Sequence, residues 1–104
     1  MFEKVLPIGT IVLLKGAKKR LMIIGYCKYK GGDTSKIYDY AGCVYPEGYL
    51  SPDTTALFDH EQIDVITSLG FRNLKQHEFQ MKLEKALSDM EAENKESTRE
   101  NENE

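Results

Sequence analysis

The sequence predicts a small α+β domain in which four or five antiparallel strands, forming a sheet or an SH3-like barrel, precede one short and one long helix. Two apolar runs, Ile8–Leu14 and Leu21–Tyr26, are rich in Ile, Val and Leu and are too short for independent helices. The link between them contains Gly16, which can take the positive φ that a tight hairpin turn requires. Near the C-terminal end, apolar residues recur every three or four positions, as in an amphipathic helix. These patterns place the strands first and the helices last.

Two further strands are expected after this hairpin. Residues 27–36 are polar and contain two adjacent glycines, which indicates a loop or a wide hairpin end. Ile37–Val44 alternates between two faces and contains aromatic residues, which is typical of a strand. Tyr45–Tyr49 carries Pro and Gly at the positions that a type I turn favours, and Thr54–Phe58 then predicts a short strand.

Two helices are expected in the second half of the chain. Asp59 is an N-cap candidate with Gln62 three residues later, and a short helix is predicted over Glu61–Ile66. Asn73 repeats this arrangement with Gln76 at the start of the long helix. That helix carries an apolar stripe of Phe79, Leu83, Ala86, Leu87 and Met90. The stripe can pack on the protein's own sheet or dock into a partner, and the sequence leaves both open.

A chain of 104 residues is expected to form one domain, which we place at residues 1–91. Residues 92–104 are rich in Glu and Asn and have no large apolar side chain, so an acidic, disordered tail is predicted. The net charge of −3 is divided into +2 over residues 1–75 and −5 over residues 76–104. The folded part is therefore nearly neutral, which argues against a duplex-DNA-binding protein.

The sequence contains no pattern typical of export or membrane insertion. A basic stretch followed by a long apolar run, as in a signal peptide, is missing from the first residues. No run reaches the roughly 20 apolar residues that a membrane-spanning helix needs. Cys27 and Cys43 alone do not make a disulfide scaffold. We therefore expect a cytoplasmic protein with reduced thiols.

Neither a catalytic nor a metal site is predicted. The candidate ligands Cys27, Cys43, His60 and His77 are widely spaced and never form the close pairs typical of zinc sites. A Cys–His pair activates a thiolate only within hydrogen-bond reach, and nothing in the spacing indicates that geometry. Nucleophile elbows, phosphate loops and dinucleotide fingerprints are also missing from the sequence. The chain is predicted to be no enzyme and to need no cofactor.

Tyrosines are the main candidates for a binding surface. The chain has six tyrosines and no tryptophan, and four of the six fall within twelve residues: Tyr38, Tyr40, Tyr45 and Tyr49. Tyrosine combines a large contact area with a hydroxyl group, which suits protein interfaces. The alternative interpretation is that these rings only fill the faces of a small sheet.

Basic residues accompany tyrosines at both ends of the first hairpin's second strand. Lys18, Lys19 and Arg20 precede this strand, and Lys28 and Lys30 follow it. A small barrel that binds single-stranded RNA by base stacking and phosphate contacts would carry this pattern. The acidic net charge favours the alternative, a solvated hairpin tip whose charges prevent edge pairing. A single-stranded RNA-binding module is therefore the second functional hypothesis.

Four motifs in a fixed order carry a family resemblance: LPIG at Leu6–Gly9, LMIIG at Leu21–Gly25, YPEG at Tyr45–Gly48 and FDH at Phe58–His60. Over about residues 6–85 the chain resembles small uncharacterised proteins of Gram-positive bacteria encoded beside LXG-class toxins in type VII secretion loci. The resemblance implies a cytoplasmic chaperone or export-targeting factor that binds a toxin before secretion. It supplies no catalytic residues. The first functional hypothesis is therefore a non-catalytic protein that binds such a toxin through its tyrosines.

Overall fold

The structure, a computed structural model, describes residues 5–30 and 33–102, with side chains over residues 5–29 and 35–89. The described chain forms two compact units. Residues 6–71 form one unit and contain every strand that the structure describes, whereas Val5 and residues 72–102 form the other and contain the described helix. The predicted α+β class is confirmed.

Five antiparallel strands form one open sheet. Their bounds are β1 Ile11–Leu14, β2 Leu21–Lys30, β3 Asp33–Val44, β4 Ala56–Phe58 and β5 Ile63–Ser68. The strands lie side by side in the order β4-β3-β2-β1-β5, so β4 and β5 are the two edges. No ladder joins these edges within the described residues, and the sheet is therefore open and not a closed barrel.

The hairpin of β1 and β2 confirms the first sequence prediction. Ile11 pairs with Met22, and Gly16 in the link has a φ of +76°. β1 begins later than expected because Gly9, with a φ of +89°, turns the chain just before it. The Gly9 N–H still donates a hydrogen bond of 2.8 Å to the carbonyl of Ile23 in β2. The apolar run therefore stays beside β2 as an irregular lead-in.

Residues 27–36 were expected to form a loop or a wide hairpin end, and of these two alternatives the loop is wrong for most of its length. β2 continues to Lys30 and β3 begins at Asp33, and the ladder includes the pairs Lys28–Tyr38 and Tyr29–Ile37. A ladder is held by main-chain hydrogen bonds, so polar and exposed side chains can continue it beyond the core. The sequence pattern detects only the part of a strand that has a buried face. The two adjacent glycines lie outside the described residues.

The short helix predicted over Glu61–Ile66 is also wrong. The capping interaction forms, because Oε1 of Gln62 accepts a hydrogen bond of 2.7 Å from the N–H of Asp59. It starts only one turn of 3-10 helix, His60–Gln62, and the chain then becomes β5, which pairs with β1. Branching at Cβ stiffens side chains and favours strands, and this segment has four such residues: Ile63, Val65, Ile66 and Thr67.

The helix, α1, spans Leu74–Glu102. Asn73 caps it as predicted, since its Oδ1 accepts a hydrogen bond of 2.8 Å from the N–H of Gln76. Hydrogen bonds of 3.1 Å then link the side chains of Gln76, Gln80 and Glu84 at helical spacing along one side. Glu84 also accepts a hydrogen bond of 3.1 Å from the N–H of Val5, which fixes Val5 to the helix.

Part of the prediction for the C-terminal region falls outside the described side chains. Of the predicted apolar stripe, Leu87 is buried and Phe79 is half exposed, whereas the side chain of Met90 is not described. The helical backbone continues into residues 92–102, and residues 103 and 104 are not described. A domain that ends at residue 91 and a disordered tail over 92–104 stay predictions.

Tyr40 of β3 lies at the centre of the core formed by residues 6–71. Its ring is fully buried, and its centroid lies 5.5 Å from that of Phe58 in β4 and 6.0 Å from that of Tyr26 in β2. Tilted ring pairs at such distances contribute about 0.5–1.5 kcal/mol beyond the area that they bury. The aromatic residues therefore hold together the half of the sheet that carries the candidate site.

Candidate functional site

A cleft of about 670 Å³ lies beside the edge strand β4. Two of the four predicted binding residues, Tyr38 and Tyr49, line it. The rest of its wall comes from the segment that leads into β4 and from β4 itself: Pro52, Asp53, Thr55, Ala56 and Leu57. The cleft therefore joins tyrosines from two different segments with one edge of the sheet.

The turn after β3 brings Tyr49 to the cleft. Gly48 has a φ of +84°, a conformation that favours glycine, and its N–H donates a hydrogen bond of 2.8 Å to the carbonyl of Val44. This bond spans five residues, and the Tyr45–Pro46 peptide is cis, so the turn is not the predicted type I turn.

Local hydrogen bonds hold the wall between Tyr49 and β4 in place. Residues Pro52–Thr54 form one turn of 3-10 helix. The carbonyl of Ser51 accepts a hydrogen bond of 3.0 Å from the Thr54 hydroxyl and another of 3.3 Å from the Thr55 hydroxyl. Pro52 has a fixed φ at the first position of this turn. Pro52 and Asp53 are thus presented to the cleft by a short, internally bonded segment.

Tyr38 is half-buried at the other side of the cleft. The ammonium group of Lys36 lies 4.8 Å from the centre of its ring, within the range of a cation–π contact. The same ammonium lies 2.8 Å from Oδ2 of Asp59, which draws Lys36 toward the turn that follows β4. The orientation of the Tyr38 ring is therefore supported by a charged neighbour on its own strand.

Tyr45 and Tyr49 are exposed, as a binding surface requires. The exposed fraction is 42% for Tyr45 and 59% for Tyr49. Leu50, which the sequence analysis did not single out, is 61% exposed directly after Tyr49. A large apolar residue beside an exposed tyrosine enlarges the amphipathic surface next to the cleft.

Tyr40 differs from the other three candidates because its exposed fraction is 0%. Its hydroxyl accepts a hydrogen bond of 3.2 Å from the N–H of Leu6 and lies 2.8 Å from Nδ1 of His60. In this conformation Tyr40 offers no surface to a partner. Its place in the structure is that of a core residue, and Tyr38, Tyr45 and Tyr49 remain as the accessible candidates.

Two aspartates fasten the end of β4 to β3. The N–H of Asp39 donates a hydrogen bond of 3.2 Å to Oδ1 of Asp59, and the N–H of His60 donates one of 2.9 Å to Oδ2 of Asp39. Partial burial, more than the nearby charge of Asp59, raises the pKa of the Asp39 carboxyl, although the His60 N–H acts in the opposite direction. This reciprocal pair positions the turn beside Tyr38.

The basic residues proposed for RNA binding have protein partners in the hairpin link. The ammonium of Lys19 lies 2.7 Å from Oε2 of Glu47, and this hydrogen bond lowers the pKa of Glu47. Nε of Arg20 donates a hydrogen bond of 3.1 Å to the hydroxyl of Thr67 in β5. Lys18 and Lys28 are exposed, and the side chain of Lys30 is not described. Glu47 therefore compensates part of the positive charge of the hairpin link.

The four candidate metal ligands have different surroundings. Cys43 is buried and Cys27 is half-buried, and both are free thiols. Burial and the nearby Asp39 carboxylate raise the pKa of Cys27. His60 packs against Tyr40, and His77 is exposed on α1. Within the residues whose side chains are described, no three His, Cys, Asp or Glu residues are grouped closely enough to hold a metal ion.

The sequence analysis found the two tyrosines of the cleft but missed its other residues. Pro52, Asp53 and Leu57 carried no functional signal, because each is common in loops and short strands. The only available signal was that Pro52 closely follows a tyrosine-rich turn.

None of the helical segments that the structure describes combines the length and the hydropathy needed to cross a membrane.

Comparison with family models identifies the family of this chain. Residues 5–79 match the family model described as "Domain of unknown function (DUF4176)". No curated protein and no solved structure matches the chain. The matched residues cover the whole sheet, the cleft and the first turns of α1. Because the match spans well over half of the chain, this protein belongs to the DUF4176 family.

Proposed function

We propose that this protein binds a partner protein through the cleft beside β4 and that it carries out no catalysis. The observation that carries this proposal is the meeting of Tyr38 and Tyr49 in one cleft. Tyrosines in a partly enclosed, apolar setting are frequent energetic centres of protein interfaces. The exposed Tyr45 and Leu50 provide further contact area beside them.

The partner in this proposal is an LXG-class toxin encoded beside the gene, which the protein would bind in the cytoplasm before type VII secretion. The order of the LPIG, LMIIG, YPEG and FDH motifs supports this choice through the family resemblance. A chaperone or targeting factor needs a surface that holds its cargo without altering it. A cleft with apolar and aromatic walls meets that requirement, because it binds by contact area and needs no reactive group.

Co-purification of the neighbouring toxin tests this proposal. We expect the tagged wild-type protein to retain the toxin, and Tyr38→Ala and Tyr49→Ala to lose most of it. Tyr29→Ala is the matched control, because Tyr29 is an exposed tyrosine of β2 that does not line the cleft. Circular dichroism of each variant checks the fold. If all three variants retain the toxin, the interface lies outside the cleft.

The same co-purification experiment also tests the RNA-binding hypothesis. Lys19 and Arg20 already have protein partners, so fewer free cations remain to contact phosphates. If the wild-type protein retains single-stranded RNA and no toxin, a salt titration decides between the two functions. Affinity for RNA falls steeply with salt, whereas affinity of a tyrosine-rich protein interface responds weakly.

A further inference from the structure

We propose that the cleft beside β4 accepts an extended, proline-containing segment of the partner that carries an arginine or lysine. This inference rests on the proposed function, because it names the kind of segment that Tyr38 and Tyr49 would hold. It follows from three properties of the cleft: the rings in its wall, the shortness of β4, and the charges around it.

The wall of the cleft offers three ring-containing side chains to its occupant, and two of them are aromatic. Tyr38 and Tyr49 have phenol rings and Pro52 has a pyrrolidine ring, and all three contribute to the lining. Grooves lined by aromatic rings favour polyproline II segments, which are already extended before binding and so lose little conformational entropy. The 3-10 turn that presents Pro52 keeps its own hydrogen bonds internal, so it presents side chains to a ligand.

Strand addition fits this edge less well. β4 has only three residues, Ala56–Phe58, and a short edge strand offers few main-chain groups to a second strand. A polyproline II segment needs no main-chain ladder, because its prolines have no N–H to donate. The edge therefore favours an occupant that is recognised through side-chain packing.

The charges around the cleft favour a basic occupant. Asp53 lies in the wall, is exposed, and makes no ion pair with any residue whose side chain the structure describes. At the Tyr38 side, the positive charge of Lys36 is offset by Asp59 at 2.8 Å and is also within the electrostatic influence of Glu61. An arginine or lysine on the partner can reach Asp53 and rest on the face of an exposed tyrosine ring.

Titration of the full-length protein with a synthetic peptide tests the inference. The probe is a ten-residue peptide of prolines and leucines with one arginine, followed through the ring signals of the tyrosines by nuclear magnetic resonance. We expect the signals of Tyr38 and Tyr49 to shift and that of Tyr29 to stay unchanged. Tyr49→Ala is expected to weaken peptide binding at least tenfold. Asp53→Asn, which keeps the shape of the side chain, is expected to weaken it by about two- to fivefold at low salt.

Two control peptides separate the parts of the inference. Replacing every proline by glycine removes the preformed extended conformation and is expected to abolish binding. Replacing the arginine by glutamate is expected to weaken binding to wild type more than to Asp53→Asn. Equal binding of all three peptides would overturn the inference, as would a lack of shifts at Tyr38 and Tyr49 at millimolar peptide. Binding of oligouridine at the same rings in place of the peptide would also overturn it.

The outcome can be distinguished from a failure of the proposed function. If no peptide binds while Tyr49→Ala still loses the toxin, the cleft binds the toxin through a different kind of segment. Only the inference about the segment is then refuted. If the peptide binds as expected while Tyr49→Ala retains the toxin, the proposed function is refuted. The preference of the cleft for basic, proline-containing segments is then still supported.

Discussion

The hydroxyl oxygen of Tyr40 lies 2.8 Å from Nδ1 of His60, and this hydrogen bond joins β3 to the turn that follows β4. The same oxygen accepts a hydrogen bond from the buried N–H of Leu6. One phenol group therefore connects three segments of the chain: the lead-in to β1, β3 and the turn after β4. Two positions earlier on the same strand, Tyr38 faces the cleft. Adjacent tyrosines on one face of β3 thus have different roles, one in the core and one at the candidate site.

Replacing Tyr40 by phenylalanine tests the structural role of this group. The substitution keeps the ring but leaves the N–H of Leu6 and Nδ1 of His60 without the Tyr40 hydroxyl. An unsatisfied buried polar group costs about 1–3 kcal/mol, so we expect a loss of this size in the free energy of unfolding. Denaturant titration measures it. Tyr38→Phe is the control, because the described structure shows no hydrogen bond from its hydroxyl, and an equal loss in both variants would contradict the assignment.

The glycine at the end of the YPEG turn provides a test of backbone geometry. An added Cβ at Gly48 would meet no atom within 4 Å, so the positive φ of +84° is the only reason for a substitution to be unfavourable. We expect Gly48→Ala to lower the free energy of unfolding by about 1–2 kcal/mol. Gly25→Ala is the matched control, because Gly25 lies in β2 with only ordinary contacts around an added Cβ. Thermal melts that show both variants equally stable would refute the argument.

Gly70 should be far less tolerant of substitution, for a steric reason. A Cβ at this position would collide with the carbonyl oxygen of Ile8, and the Gly70 N–H donates a hydrogen bond of 3.0 Å to the hydroxyl of the buried Thr10. Main-chain atoms cannot move aside as a flexible side chain can. We expect Gly70→Ala to lower the free energy of unfolding by about 3 kcal/mol or more. A loss no larger than that of Gly48→Ala would show that the two segments lie further apart.

Tyr26 gives a prediction for alkaline pH. Burial raises the pKa of its hydroxyl to about 12, above the ordinary value of 10.0. The unfolded chain therefore loses this proton first, and Tyr26 lowers stability progressively as the pH rises above 10. Ultraviolet absorbance of tyrosinate should show a late-titrating component in the wild type that Tyr26→Phe lacks. In urea the component should merge with the others, and a late component that persists in Tyr26→Phe would assign it to another tyrosine.

The parts of the fold that local patterns determine were predictable from the sequence. The β1–β2 hairpin follows from two short branched runs around Gly16, and the start of α1 follows from the Asn73 cap. β5 was not predictable, because Ile63 and Ile66 are spaced equally well for a helix. Its strand conformation depends on pairing with β1, where Ile66 meets Val12 across a long sequence separation. No local pattern reports such a partner.

The candidate site was predictable by residue type but not by position. Alternation correctly places Tyr38 and Tyr40 on one face of β3, but it does not tell which of the two is covered. Tyr40 pairs with Phe58 of β4, whereas Tyr38 lies beyond the last pair of that ladder. The length of β4 therefore decides that Tyr40 is buried and Tyr38 is accessible. That length is set by the 3-10 turns on either side of β4, which the composition does not reveal.

The most direct test of the central claim is the affinity of the proposed partner, the purified LXG-class toxin, for the wild-type protein, Tyr49→Ala and Tyr49→Phe, measured by isothermal titration calorimetry. A tyrosine that anchors an interface contributes about 2 kcal/mol, so we predict that Tyr49→Ala binds about thirtyfold more weakly. Tyr49→Phe keeps the ring and should stay within about threefold of the wild type, because a single neutral hydrogen bond at the surface contributes little. If Tyr49→Ala binds as tightly as the wild type while the toxin remains bound to both, the cleft beside β4 is not the site at which the partner is held.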